Sequence, residues 1–172
     1  MCSQTSPRPV VTAFLVHGGK VLLLRRSALV RTCPSRWAGV SGSIPPGVDP
    51  LAQAYQEVQE ETGLLPEGLT LCAQGTPLTV QHEQGGAWRV HPFAFRIADP
   101  TPIRLNWEHT EMRWVDPEAI RTLPTVPGLW EAWERVQGCL QDPSNRGGEH
   151  AFRTHHRGDM MSKGENLSHT PP

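Results

Sequence analysis

Three carboxylates, Glu57, Glu60 and Glu61, stand at positions i, i+3 and i+4. On a helix, residues so spaced share a face with Cβ atoms about 5–6 Å apart. No basic residue lies within the same stretch to offset them. Carboxylates that close repel one another, and a divalent cation turns the repulsion into attraction. Their oxygens are hard donors, which suit Mg²⁺ or Mn²⁺ better than zinc. A Glu-rich helix face is more commonly plain solvated surface, so the flanking residues have to decide between the two.

Those flanks are specific. Gly42-Ser43-Ile44-Pro45-Pro46-Gly47-Val48 is too rich in glycine and proline for a helix. Asp49-Pro50 is a helix start, with a side-chain acceptor at N-cap and a ring already set to helical φ at N1. Gly63 suits the left-handed residue that closes a helix. Between them Leu51, Ala54, Tyr55, Val58 and Thr62 recur at three- and four-residue spacing, an apolar side opposite the carboxylates. The spacing predicts a helix over 50–62, mounted directly behind a loop.

Gly42 to Leu64 resembles the Nudix box, G-x5-E-x7-R-E-U-x-E-E-x-G-U with U aliphatic. Gly42, Glu57, Val58, Glu60, Glu61, Gly63 and Leu64 match in register. Two positions depart: the first glutamate of the box falls on Val48 and its arginine on Gln56. The resemblance covers roughly residues 10–140 and implies the Nudix fold, an α/β architecture with a mixed sheet between helices (an α/β/α sandwich). It also implies hydrolysis of the pyrophosphate of a nucleoside diphosphate linked to another moiety, assisted by Mg²⁺ or Mn²⁺.

By that resemblance the metal ligands are Gly42, through its carbonyl, with Glu57, Glu60 and Glu61. Glu57 and Glu60 are expected to be catalytic, together with an acidic residue outside the box. Glu108 is the first choice for it, with Glu111 and Glu83 as alternatives. Arg25, Arg26 and Arg36 are placed to reach phosphate oxygens. Gln56 can still donate a hydrogen bond, but without the charge that makes an arginine contact roughly twice as strong. Three core carboxylates survive, so activity is expected to be reduced but real. A Nudix-fold nucleotide-binding module that has lost catalysis is the alternative, which Val48 and Gln56 favour.

The chain has 172 residues, a single-domain length, and a net charge of −1, which gives no global field for nucleic acid or anionic membrane. The apolar run 10–16 is far short of the roughly 20 residues a membrane-spanning helix needs. Cys2, Cys33, Cys72 and Cys139 are scattered without a Cys-x-x-Cys pair, and read as free thiols of a reducing compartment. A soluble cytoplasmic protein with no membrane or nucleic-acid polymer as partner follows, and the resemblance implies a small-molecule nucleotide substrate. Many relatives are dimers, so the resemblance admits a homodimer.

Along the chain, 1–8 is expected to be flexible and 9–140 to form the domain. Two apolar runs, 10–16 and 21–24, flank His17-Gly18-Gly19-Lys20 as a hairpin covered on both faces. Trp37 reads as core filling beside the box loop rather than as a base-stacking ring. Strands are expected within 69–80, 88–97 and 107–115, with His91, Phe93, Phe95 and Ile97 alternating on one face. Asp116-Pro117 is a second helix start, and Leu129, Trp130, Trp133 and Val136 form an apolar stripe on a C-terminal helix. Residues 141–172 read as a disordered tail, whose His150, His155, His156 and His169 lack regular ligand spacing.

Overall fold

The structure is a computed structural model that describes residues 5–141. The tail and its four histidines lie outside the described residues.

A single mixed sheet of eight strands organises the molecule. β1 (Arg8–His17) and β2 (Lys20–Arg26) form the expected hairpin, with Val16 opposite Val21. Gly18 and Gly19 have φ of +56° and +75°, and two successive left-handed residues match the twist of a two-residue hairpin turn. β1 then runs parallel to β7 (Ala87–Ile97), from Arg8 opposite Trp88 to Val16 opposite Arg96. Its first half also pairs with β4 (Val40–Ser43), with Val11 opposite Gly42. β3 (Trp37–Ala38) and β8 (His109–Val115) flank β2, while β5 (Leu69–Gln74) and β6 (Leu78–Gln81) flank β7.

Both faces of the sheet are covered, which explains the near-continuous apolar runs. On one face Val11, Leu15, Leu22 and Phe95 pack with Ala54 and Val58 of helix α1 (Pro50–Thr62). On the other, Phe14, Val16, Leu23 and Ala94 pack with Ile120, Leu129 and Trp133. The expected sheet between helical layers is therefore present. β7 is itself buried on both faces, because Val90 and Ala94 pack on the side opposite Phe93 and Phe95.

The second layer departs from expectation in two ways. Asp116-Pro117 opens only a 3₁₀ turn, Pro117–Arg121, and the Asp116 side chain makes no cap hydrogen bond. It instead accepts from Lys20 Nζ at 2.8 Å. The C-terminal helix is short, α2 (Leu129–Glu134), followed by a 3₁₀ turn at Gln137–Gln141.

The reading of all four cysteines as free thiols is also corrected. Cys72 and Cys139 are joined in a disulfide with Cα atoms 5.2 Å apart, so the thiol argument for a reducing compartment falls away. Cys72 sits where the β5–β7 register shifts, and Cys139 comes from the last 3₁₀ turn. Two cysteines 67 residues apart in sequence give no local signal of such a pairing.

Candidate active site

Helix α1 forms as its flanks dictate. Asp49 Oδ2 accepts from Ala52 N at 3.0 Å, Pro50 opens the first turn, and Gly63 closes the helix at φ +75°. Ala54 and Val58 are fully buried against the sheet, and the Tyr55 ring lies 4.9 Å from that of Phe95. Thr62 donates its hydroxyl to Val58 O at 2.6 Å. Packing of this face fixes how the acidic side meets β4 and the start of β8.

The three carboxylates are not equivalent, contrary to the simple picture of one solvated ridge. Glu60 is exposed, Glu57 is half-buried and Glu61 is 1% exposed. Glu57 Oε1 accepts from Gln53 Nε2 at 2.8 Å, and its carboxylate lies directly against Gly42. A Cβ on Gly42 would overlap that carboxylate, so only glycine permits the approach. Gln56, standing where the box has arginine, donates to Glu60 Oε1 at 2.8 Å. The orienting contact thus survives in neutral form. Val48, where the box has its first glutamate, is 37% exposed on the loop before the helix.

Electrostatics mark the buried end. Burial pushes the Glu61 carboxyl well above its ordinary range, and the neighbouring Glu57 and Glu108 push the same way. The Ser41 backbone and Arg26 offset only part of this. Burial also raises Glu57, with Glu60 and Glu108 adding to it against the Gln53 hydrogen bond. His109 is held down to about 4, by burial first and Arg26 second, so its ring is neutral at physiological pH. Its Nε2 lies 3.7 Å from Glu61 Oε2. Neither Glu61 oxygen and neither His109 nitrogen makes a hydrogen bond of good geometry, the Ser41 N–H approaching Glu61 without completing one.

Buried polar atoms without partners cost roughly 1–3 kcal/mol each, more when charged. A cation beside Glu61 would remove that cost, and the donors present fit a hard one: carboxylate oxygens and a backbone carbonyl at Gly42. Among the described residues no group of three or more acidic, histidine or cysteine side chains is arranged to hold a metal ion by itself.

A cleft of about 240 Å³ opens beside this group, lined by Arg26, Ser41, Gly42, Glu108, Trp88 and Leu129 among others. Of the expected outside acids, Glu108 lines the cleft, half-buried. Glu111 pairs with Arg113 at 2.9 Å and Arg25 at 3.6 Å, and Glu83 with Arg36 at 2.7 Å. Of the three expected arginines, Arg26 alone lines this cleft, joined there by Arg8. Arg25 is committed to Glu111, and Arg36 lines a second cavity of about 260 Å³. Trp37 is buried at 4% exposure with the Arg113 guanidinium 4.7 Å from its ring, as a core residue should be. Two residues escaped sequence reasoning. His109 carries no motif, and Trp88 looked like any strand aromatic.

A mixed sheet between helical layers, with an acidic helix end against a glycine and a cleft beside it, defines a class of small α/β hydrolases. The NUDIX domain profile matches residues 6–136, and the chain belongs to that family. It is similar in structure to an Ap4A hydrolase from C. elegans, solved as a binary complex (TM-score 0.63, 20% identity), over 78% of this chain and 98% of that one. It is also similar to a MutT protein from Methanosarcina mazei Go1 (TM-score 0.58, 28% identity), over 77% of this chain and 95% of that one. A curated relative, an octanoyltransferase of Myxococcus xanthus, is 31% identical over 122 residues, 64% of this chain and 32% of that protein. The chain thus spans about a third of the length of that relative. The family match fixes the domain, and the likeness to the C. elegans structure is one of fold. Among the described residues no helix is long and apolar enough to cross a membrane.

Proposed function

We propose that this protein is a metal-dependent pyrophosphohydrolase that cleaves the diphosphate of a nucleoside diphosphate linked to another moiety. The observation that carries the reading is Glu61, a buried carboxylate with neither oxygen in a hydrogen bond of good geometry, alongside Glu57 held against Gly42. Glu57, Glu60, Glu61 and the Gly42 carbonyl would hold Mg²⁺ or Mn²⁺. When bound, such an ion neutralises phosphate charge and acidifies a water molecule.

The chain's own residues do the rest. Gln53 and Gln56 each donate to one carboxylate and orient it. Glu108 is the general base, since it lines the cleft while Glu111 and Glu83 are engaged by arginines. Arg26 meets a phosphate oxygen from the cleft wall. Its guanidinium is anchored by Nε to Thr32 O at 2.9 Å and Nη2 to Thr32 Oγ1 at 3.1 Å. Arg25 and Arg36 reach phosphate only by releasing their partners, so their part is secondary. A cytoplasmic protein handling small nucleotides, as monomer or homodimer, is the setting this activity implies.

The test is a hydrolysis screen over nucleoside triphosphates, nucleotide sugars, ADP-ribose, dinucleotides and coenzyme A, with Mg²⁺, with Mn²⁺ and with chelator. Metal-dependent turnover of at least one compound is expected. Glu61→Gln should lower it by about a hundredfold or more. A second reading, a nucleotide-binding module, is favoured by Val48 and Gln56, which stand where the box has its first glutamate and its arginine. It predicts no turnover anywhere and nucleotide affinity unchanged in Glu61→Gln.

A further inference from the structure

The two cavities adjoin: Thr32, Cys33 and Trp88 line both. Each alone is smaller than the roughly 300–1,000 Å³ of a usual ligand pocket, and together they reach it. Their chemistry differs. The first holds Arg26, Gly42 and Glu108, which suit a diphosphate. In the second the acidic residue is Glu83, already neutralised by Arg36 at 2.7 Å. What the second offers instead is a flat aromatic surface. The rings of His82 and Trp88 are stacked, 4.6 Å between centroids and 22° between planes.

The fold presets this surface. His82 and Trp88 flank the β6–β7 turn, where Gly85 and Gly86 have φ of +83° and +94°. Gly85 N donates to His82 O at 3.0 Å, and His82 N donates to Gly86 O at 3.3 Å. A Cβ on Gly86 would stand 3.3 Å from His82 Nε2, so glycine leaves room for the imidazole to fold back over the indole. The facing wall includes a non-glycine residue in left-handed backbone, Cys33 (φ +47°). Such conformations cost energy and persist where surroundings enforce them. Arg26 enforces one end through Thr32, and Gln84 Nε2 ties the hairpin to Arg31 O at 3.3 Å.

The spacing also fits. Trp88 is opposite Arg8 and Gly42 opposite Val11, so the two are three residues apart along β1 and on either side of it. Strand geometry makes that roughly 10 Å along the sheet and two strand spacings, roughly 9–10 Å, across it. Three residues along a strand also reverse the face, so Trp88 stands with Val10 and Val90 while Glu57 approaches Gly42 from the α1 side; a nucleotide reaches Gly42 at its backbone, which lines the same cleft as Trp88.

We propose that Trp88 and His82 form the nucleobase subsite, a stacking platform that takes the planar ring of the nucleotide whose diphosphate lies at Arg26, Gly42 and Glu108. The proposal rests on the hydrolase reading for the diphosphate end. Ring stacking tolerates any base, so the platform selects nucleotides over other diphosphates.

The test is equilibrium dialysis of ADP, of GDP and of inorganic pyrophosphate, with Mg²⁺, against the wild type, Trp88→Ala, Trp88→Phe and His82→Ala. Thermal melting checks that each variant is folded. Trp88→Ala should weaken ADP and GDP by about 5- to 150-fold, the range for losing one stacking partner. Trp88→Phe should recover most of it, His82→Ala should give a smaller loss, and pyrophosphate should stay within twofold throughout. Equal weakening of pyrophosphate would overturn the subsite. So would nucleotide affinity indifferent to both Trp88→Phe and His82→Ala, or no nucleotide binding by the wild type. Ring-dependent binding of ADP without turnover in the hydrolysis screen would instead sink the hydrolase reading alone.

Discussion

The two helical layers that cover the sheet are built on different principles. α1 is 13 residues long, with a side-chain cap at Asp49, proline in its first turn and glycine at its end. α2 is six residues long, begins at a left-handed Gly128 and has no side-chain cap. So short a helix has little stability of its own. It is held by Trp133, packed edge-on against Phe14 at 5.2 Å, by its neighbours in the core, and by the Cys72–Cys139 bond beyond it. One layer is specified locally and carries the proposed metal ligands. The other is imposed by tertiary contacts and closes the cleft through Leu129.

That contrast can be broken from either side. Trp133→Ala should have the largest effect, a loss of about 3–5 kcal/mol read by urea unfolding, because a large cavity opens where no local helix signal compensates. Breaking the disulfide with a dithiol, or by Cys139→Ser, should cost about 2–4 kcal/mol, lower the melting temperature, and speed hydrogen exchange in 129–141 more than in 50–62. Equal exchange in the two layers would refute the division. On the other side, Gly42→Ala should cost about 1–3 kcal/mol through overpacking against Glu57, and should also abolish Mg²⁺-dependent turnover. Asp49→Ala should be the mildest, about 0.5–2 kcal/mol, with exchange rising first at the start of α1.

The box helix was readable because its determinants are local. A cap, a proline, a glycine and an apolar repeat lie within one stretch of chain, and the structure reproduces helix 50–62 in full. The β1–β2 hairpin was readable for the same reason, through two glycines between apolar runs. Asp116-Pro117 carried the same start signal and gave only a 3₁₀ turn, because Lys20 from the β1–β2 turn claims the carboxylate that would have capped it. The cysteine pairing and the His82–Trp88 stack were hidden. The first joins residues far apart in sequence. The second depends on a glycine turn folding one ring onto another.

The sequence by itself determined which residues could bear charge toward a metal, since type and helical spacing place Glu57, Glu60 and Glu61 along one side of α1. It did not determine that they would differ. Only the packing of α1 on the sheet sinks Glu61 beneath the surface beside His109, rests Glu57 on Gly42 and leaves Glu60 in solvent. The physical reason is that helical periodicity sets direction around an axis, whereas burial and desolvation depend on what the neighbouring strands bring up against each side chain.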